Sequence, residues 1–550
     1  MNKFLLDFLH SINMMNDMKK NLVFILSGLL FLIGDVSAQF QMSKGTRKLA
    51  TTMTLIEKMY VDTINDEKVA EGAIIAMLKE LDPHSSYLSQ EAVAEMNEPL
   101  EGNFDGIGIS FNLMTDTLYV IETIAGGPSE KVGILPGDRI IKVNDTIIAG
   151  VKMSTRDIMK RLRGPKGTKV TVDVMRKNVP DVIKFSITRA KIPIYSLDAS
   201  YMIDDKTGYI RLSRFGATTM KEFREALEKL QVQGLQNLIL DLESNGGGYL
   251  NAATELADEF LDKDKLIVYM EGSHQPRTED HSTQKGMFET GKLVILVDEG
   301  SASASEIVSG AVQDWDRGVI VGRRTFGKGL VQRQFPLPDG SMIRLTVARY
   351  YTPTGRSIQK PYENGDQEAY AKDLIDRYNK GEMMNVDSIH FPDSLKYETL
   401  INARTVYGGG GIMPDHFVPM DTAFYSEYLR KITAMGIVYR LALNIVDTQR
   451  AELLSQYPTI EKFKTDYDIS ETTLSKMIEM ATEDKIEYNE EEYLRSKDFL
   501  KRRIKSYIAR DLFSTEAFFK IYNEDSDIFL KGLEIINDDK EYKKLLHKKQ

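Results

Sequence analysis

Cysteine is missing from all 550 residues, which excludes disulfides, zinc–thiolate sites and a thiol nucleophile together. Histidine is scarce. Of the seven, His274 and His281 lie in a polar, loop-like stretch, and no His-x-x-x-His or Glu-x-x-His helix face occurs, so neither a metal nor any other cofactor is expected. Long runs of one charge sign are also absent. The net charge of −10 comes from mixed Lys/Glu surfaces, and no nucleic-acid footprint is expected. Nor is there an apolar run of the ~20 residues that a spanning helix needs. The longest, Leu22 to Ile33, sits in "MKKNLVFILSGLLFLIGDVSAQF", behind two lysines and ahead of the small residues Ser37 and Ala38. That pattern reads as a secretory signal over residues 1–38, cleaved after Ala38, with Met18 a candidate start. A retained membrane anchor is the competing reading, since Met1 to Asp17 precede the lysines. The chain is expected to be exported to the periplasm or cell envelope, touching the membrane only before signal cleavage.

At 550 residues and 42% apolar composition the chain can bury several cores, given roughly 100–200 residues per domain. Residues 39–100 form a helical region: apolar residues recur at spacings of three and four from Thr46 to Leu81, and Asp82-Pro83 stops the second helix. His84, just beyond, reads as structural. Between 101 and 190 the pattern turns to short alternating strands punctuated by glycine. One helix, "STRDIMKRLR", with Ser154 as its cap, interrupts them, suggesting a small, partly open β-barrel. Residues 191–424 alternate continuous apolar strands with amphipathic helices, as a covered α/β sheet does, with a polar surface excursion near 360–400. Residues 425–550 are charged and helical, a C-terminal helical domain. The expected class is a multidomain α/β and α+β protein.

Three serines crowd "DEGSASASEIVSGA", residues 298 to 311. Because "KLVILVDEG" reads as a buried strand and "SASEIVSGAVQDW" as a helix, Ser303 falls at a strand-to-helix corner, where first-turn N–H groups lack intrahelical partners. A hydroxyl there can attack a carbonyl while the Ala304 N–H helps to hold the oxyanion. A second donor is available in "DLESNGGGYL", whose glycines follow another strand at the carboxyl edge of the sheet; Gly247 and Gly248 are both candidates. With no histidine in a comparable position, the base is sought among lysines. Lys328, between two glycines in "RRTFGKGLVQRQF", is placed for desolvation, which lowers a lysine pKa toward neutrality. Gln332, four residues on, is placed to orient the amine.

Two resemblances join these pieces. The segment "GIGISFNL…GILPGDRIIKVNDTII…LRGPKGTKVTVDVMR" resembles a PDZ domain. That implies a groove for extended C-terminal tails, with the loop Gly106, Ile107, Gly108 and Ile109 holding the terminal carboxylate. In addition "LDPHSSYL", "DLESNGGG", "GSASASEI", "TFGKGLVQ", "YYTPTGRSIQ" and "GGGGIMPD" occur in the order of the C-terminal processing peptidases, or tail-specific proteases, over residues 45 to 418. The resemblance implies a serine endopeptidase with a Ser/Lys dyad of Ser303 and Lys328 and with Gln332 as third member. It also implies an oxyanion hole from Ala304 and Gly247 or Gly248, and support from Glu306. One departure stands out: the glycine strand of the family ends Asp-Leu-Arg, whereas Glu243 stands here, leaving the arginine's role without an owner. The implied substrates are proteins with free, apolar C-termini, and the helical flanks suggest a homodimer or an adaptor surface. The competing class is a noncatalytic PDZ scaffold with an inert peptidase-like core.

Overall fold

The computed structural model describes residues 43–114, 116–177, 179–283 and 286–547, so the leader expected over 1–38 lies outside the described residues. No described helix is long and apolar enough to cross a membrane. The described residues divide between positions 77 and 78 into two compact units. The first holds the helix Lys44–Met59, whose N-terminal donors begin on Ser43 Oγ, which accepts from Thr46 N at 3.1 Å. The helix Asp66–Lys79 follows, with Asp66 and Glu67 in its first turn, where acidic side chains favour the helix dipole.

In the second unit, residues 103–193 make the glycine-punctuated β-domain. Strands Ile109–Met114, Thr117–Thr123, Arg139–Val143, Lys169–Met175 and Ile183–Thr188 pair antiparallel in that order, and Asn103–Gly106 pairs with Ala190–Pro193 at the base. Leu118, Val120, Ile140, Val172 and Ile158 lie on the inner faces and close one core. The helix Thr155–Leu162 lies in this core through Ile158 and Leu162, and Ser154 caps it by accepting from Asp157 N at 3.1 Å.

The mostly parallel sheet has six strands in the order Leu197–Met202, Thr207–Leu212, Asn237–Asp241, Lys292–Val297, Val319–Gly322 and His416–Phe417. The first pair is antiparallel and the remainder parallel. Alternation along the strands explains their unbroken apolar character. Leu238, Leu240, Leu293 and Ile295 pack under the helices Thr219–Val232, Leu250–Asp258 and Ala304–Asp314. Ile239, Val294, Leu296 and Val321 face the opposite side, where the helices Thr515–Tyr522, Asp527–Asn537 and Asp539–Leu546 cover them. The contact is close enough that a Cβ on Gly532 would stand 2.7 Å from Leu296.

The helical stretch after residue 425 therefore divides its apolar residues between two cores. Helices from Glu427 to Leu512 bury Leu441, Ile445, Leu474, Leu500 and Ile504 among themselves, while the final helices finish the sheet. Helical periodicity alone carries no sign of which apolar surface a helix will cover, which is why the stretch reads as one domain in the sequence. The excursion near 360–400 also differs from a plain surface loop. It contains the helix Gln367–Asn379, with Tyr370 and Arg377 buried, and Arg377 donates to the carbonyls of Arg324 at 2.6 Å and Thr325 at 3.1 Å. A second sheet, centred on Met342–Tyr351, pairs with Ser86–Leu88, Leu330–Pro336 and Leu266–Gly272.

Candidate active site

The three crowded serines separate once the turn after Lys292–Val297 is seen. Ser301 Oγ donates to Leu242 O at 2.7 Å and Ser305 Oγ to Asn245 O at 2.8 Å, so both are buried ties to the neighbouring strand end. Ser303 is different. It is half-buried at the N-cap of Ala304–Asp314, a helix buried along its whole length, and its backbone stands at φ 54° and ψ −109°. A non-glycine residue at such an angle costs about 1–3 kcal/mol and persists only where its surroundings hold it.

Those surroundings are specific. Asp298 accepts from Ser244 N at 2.7 Å and Ser244 Oγ at 2.9 Å on one side, and from Gly300 N at 2.9 Å and Ser301 N at 3.1 Å on the other. One carboxylate thus ties the glycine loop to the serine turn. Gly247, at φ 97°, lies directly against that turn: a Cβ there would stand 2.8 Å from Ala302 O, 2.9 Å from Ala304 N and 2.9 Å from Ser303 Cβ. The Gly247 N–H donates to Asn245 Oδ1 at 2.9 Å and its carbonyl accepts from Phe215 N at 3.0 Å. Gly248, at φ 152°, passes so close to Phe215 that a Cβ would meet its carbonyl oxygen at 2.1 Å. The Gly248 N–H takes no part in the hydrogen bonds among the described residues.

Glu306 joins the serine turn to the lysine loop. Its fully buried carboxylate accepts from Ser303 N at 2.8 Å, Lys328 N at 2.9 Å, Gly327 N at 2.7 Å and Thr325 Oγ1 at 2.5 Å. From the other side the Tyr350 hydroxyl reaches both the Ser303 carbonyl, at 3.1 Å, and the Lys328 carbonyl. Its single hydrogen is shared between two acceptors, a three-centre arrangement. Ser303 and Lys328, 25 positions apart, are therefore held through both their amides and their carbonyls. Tyr350 carries no distinguishing pattern in the sequence beyond its place in "YYTPTGRSIQ".

Burial is the first cause that pushes the Lys328 amine down, to about 8, and the Arg344 guanidinium adds to it; Glu306 and Asp82 act in the opposite direction. Burial likewise raises the Glu306 carboxyl, against the lowering effect of its four donors. His84, in "LDPHSSYL", belongs to the same neighbourhood. Its pKa is pushed down to about 4 by burial first and then by Lys328, Arg344 and Lys360, and its Nε2 lies 2.9 Å from the Tyr370 hydroxyl. Tyr370 comes from the polar excursion, and sequence reasoning placed neither residue near the lysine. The signal for His84 is the motif that contains it; Tyr370 has none.

Gln332 follows Lys328 into the strand Leu330–Pro336, where a register shift lies between Val331 and Gln332. Its amide nitrogen donates to Leu330 O at 3.1 Å and Thr346 Oγ1 at 3.3 Å. Thr346 in turn donates to Asp82 Oδ1 at 2.9 Å, and Asp82 also accepts from His84 N and Ser85 N. Glu243, in place of the arginine, has its carboxyl raised by burial and by Asp241 and Asp298, and its carbonyl accepts from Arg211 at 2.9 Å.

The β-domain carries a separate cavity of about 270 Å³ between the strand Ile109–Met114 and the helix Thr155–Leu162, lined by Ile107, Gly108, Ile109, Phe111, Met159 and Leu162 among others. Gly106 lies just outside this lining, in the strand that ends the base pair. The carbonyls of Ile107 and Gly108 are occupied by Ser129 Oγ at 2.6 Å and Ile124 N at 3.0 Å. Among the described residues no group of acidic or histidine side chains could hold a metal ion.

Comparison with known proteins matches residues 206–367 to peptidase family S41 and residues 106–187 to the PDZ domain. Residues 34–92 match the N-terminal domain of the activating protease CtpB, and residues 428–514 match a family of unknown function. The carboxy-terminal processing protease CtpB of Bacillus subtilis (strain 168) is 30% identical over 437 residues, covering 78% of this chain and 88% of that protein. The carboxy-terminal processing protease CtpA of the same organism is 35% identical over 353 residues, 62% of this chain and 75% of its own. Among solved structures, the photosystem II D1 C-terminal processing protease is 30% identical, covers 57% of this chain and 84% of that one, and superposes with a TM-score of 0.33.

Proposed function

Because the chain belongs to the carboxy-terminal processing proteases of peptidase family S41, we propose that it cleaves exported proteins selected by their free, apolar C-termini, using Ser303 as nucleophile and Lys328 as base. The observation that carries this reading is the Glu306 carboxylate, which takes the amides of both residues and so ties the serine turn to the lysine loop.

In the reaction, the neutral Lys328 amine takes the proton from Ser303 Oγ as that oxygen bonds to the scissile carbonyl carbon. The tetrahedral oxyanion is held by Ala304 N–H and one glycine N–H. Hydrogen-bond accounting favours Gly248 for the second donor, since the Gly247 N–H is spent on Asn245. Lysine then protonates the departing amine, and water, deprotonated by the same amine, releases the acyl group. Gln332 acts as a positioning residue: with its nitrogen turned to Leu330 and Thr346, its carbonyl oxygen is the end left to accept from Lys328. The cavity beside Ile107–Ile109 and the helix Thr155–Leu162 suits an apolar tail laid as an added strand. The signal-like stretch from Met18 to Ala38 supports export to the periplasm or cell envelope.

The test compares wild type, Ser303→Ala and Lys328→Ala on a peptide reporter, with labelling by a fluorophosphonate. Both variants should lose cleavage and labelling while binding a tail peptide as before. Retained labelling in Ser303→Ala would assign the nucleophile elsewhere.

A further inference from the structure

The helical module of residues 428–514, which resembles a family of unknown function, has a definite partner within this chain. Helix Ile437–Gln456 turns Leu441, Ala442, Ile445 and Val446 into its own bundle. Tyr439, Leu443 and Asp447, four residues apart, lie on another face of the same helix. That face meets the PDZ domain. Arg139 donates to Asp447 Oδ2 at 2.8 Å, Lys177 Nζ donates to the Asp447 carbonyl at 3.3 Å, and Leu443 packs with Met114 and Ile121 beside Tyr119 and Tyr439.

The strand Thr117–Thr123 shows that the PDZ side is built for this contact. Leu118 and Val120 face the core of the domain, so alternation turns Tyr119 and Ile121 outward. Ile121 is nonetheless only 8% exposed, and Leu443, which faces away from its own bundle, is also 8% exposed. Each is covered by the other's domain. The Arg139 guanidinium lies 4.7 Å from the centre of the Tyr119 ring, which aims it along the seam. The residues along this seam are distinct from those lining the cavity of Ile107, Ile109, Met159 and Leu162, so the contact leaves that groove open.

We infer that the helical module is the seat of the PDZ domain, gripping the side away from the tail groove so that a captured tail is presented at a fixed position relative to Ser303. This rests on the proposed tail recognition only for its effect on cleavage; the seat itself is a physical contact. It follows that loosening the seat should spare tail binding and reduce the benefit that tail binding confers on cleavage.

The experiment uses the full chain, with Arg139→Asp, Asp447→Arg and the charge-swapped double variant. Hydrogen exchange is followed in the amides of 117–123 and 437–447. A fluorescent decapeptide ending in a free leucine measures tail binding, and a cleavage reporter is compared carrying that tail free or amidated. Reversing one charge of a pair whose side chains are 23% and 18% exposed should speed exchange on both sides of the seam by about tenfold. The advantage of the free-tail reporter should fall by a similar factor while decapeptide affinity stays within about twofold, and the double variant should recover both. Unchanged exchange and tail advantage in the single variants, or a double variant as loose as the sum of the two, would overturn the seat. Should wild type cleave free and amidated reporters equally, tail recognition itself falls, and exchange alone then decides the seat by the same criterion.

Discussion

Replacing Lys328 with methionine is expected to abolish cleavage and to make the protein more stable at neutral pH. The amine is lowered from 10.5 to about 8, chiefly by burial. The gap between those values, at ~1.36 kcal/mol per pH unit, puts the cost of holding the charged lysine in the fold at ~3 kcal/mol. The sign follows from protonation. Below pH 8 the amine is protonated in both folded and unfolded chains, and the full cost is present. Between pH 8 and 10.5 the folded amine has lost its proton while the unfolded one keeps it, so wild-type stability rises; above 10.5 the cost is gone. Methionine fills a similar volume without the charge, and its variant serves as the control for every other group titrating in that window. The single tryptophan, Trp315, ends the helix that begins after Ser303 and donates to Leu266 O at 2.8 Å, so its fluorescence reports the catalytic core in urea. Lys328→Met should exceed wild type by ~3 kcal/mol at pH 7, with the two converging as pH approaches 10.5. Parallel stability curves across that range, or a methionine variant weaker than wild type at pH 7, would refute the buried-amine argument.

Three further outcomes are expected. The kcat/KM of wild type should climb with pH up to about 8 and then level, because the proposed base is the neutral amine; a profile flat down to pH 6 would reject it. Gly247→Ala, forced to φ 97° with its Cβ under 3 Å from the serine turn, should lower kcat by about 100-fold or more while leaving tail-peptide affinity unchanged, as steady-state kinetics and anisotropy would read. Tyr350→Phe removes the hydrogen shared by the Ser303 and Lys328 carbonyls and should cost about 1–2 kcal/mol of transition-state stabilisation, roughly tenfold in kcat.

Much of this architecture is written locally. Ser154 caps its helix as its position before an apolar face suggests, and the unbroken apolar strands 237–241 and 292–297 have helices on both faces. The corner holding Ser303 follows from a buried strand running straight into a helix. What local pattern lacks is the identity of distant neighbours. The corner and the family motif single out Ser303 in the sequence, but what occupies the Ser301 and Ser305 hydroxyls is not legible there: they are tied to Leu242 and Asn245, 59 and 60 residues earlier. Tyr370 lies in a polar stretch that resembles a loop, yet its hydroxyl meets His84, 286 positions away.

The sequence by itself determined which chemistry was open: no thiol, no metal-ligand spacing of histidines, and a serine, a lysine and glycine turns at strand ends, because residue type and local periodicity are properties of the chain. Only the tertiary structure decided which serine is held at a strained corner, that one buried carboxylate binds the amides of Ser303 and Lys328, and how far burial drags down a lysine's pKa. The physical reason is that desolvation and hydrogen-bond geometry arise from the groups folding brings into contact, and those contacts span tens to hundreds of residues that no local pattern connects.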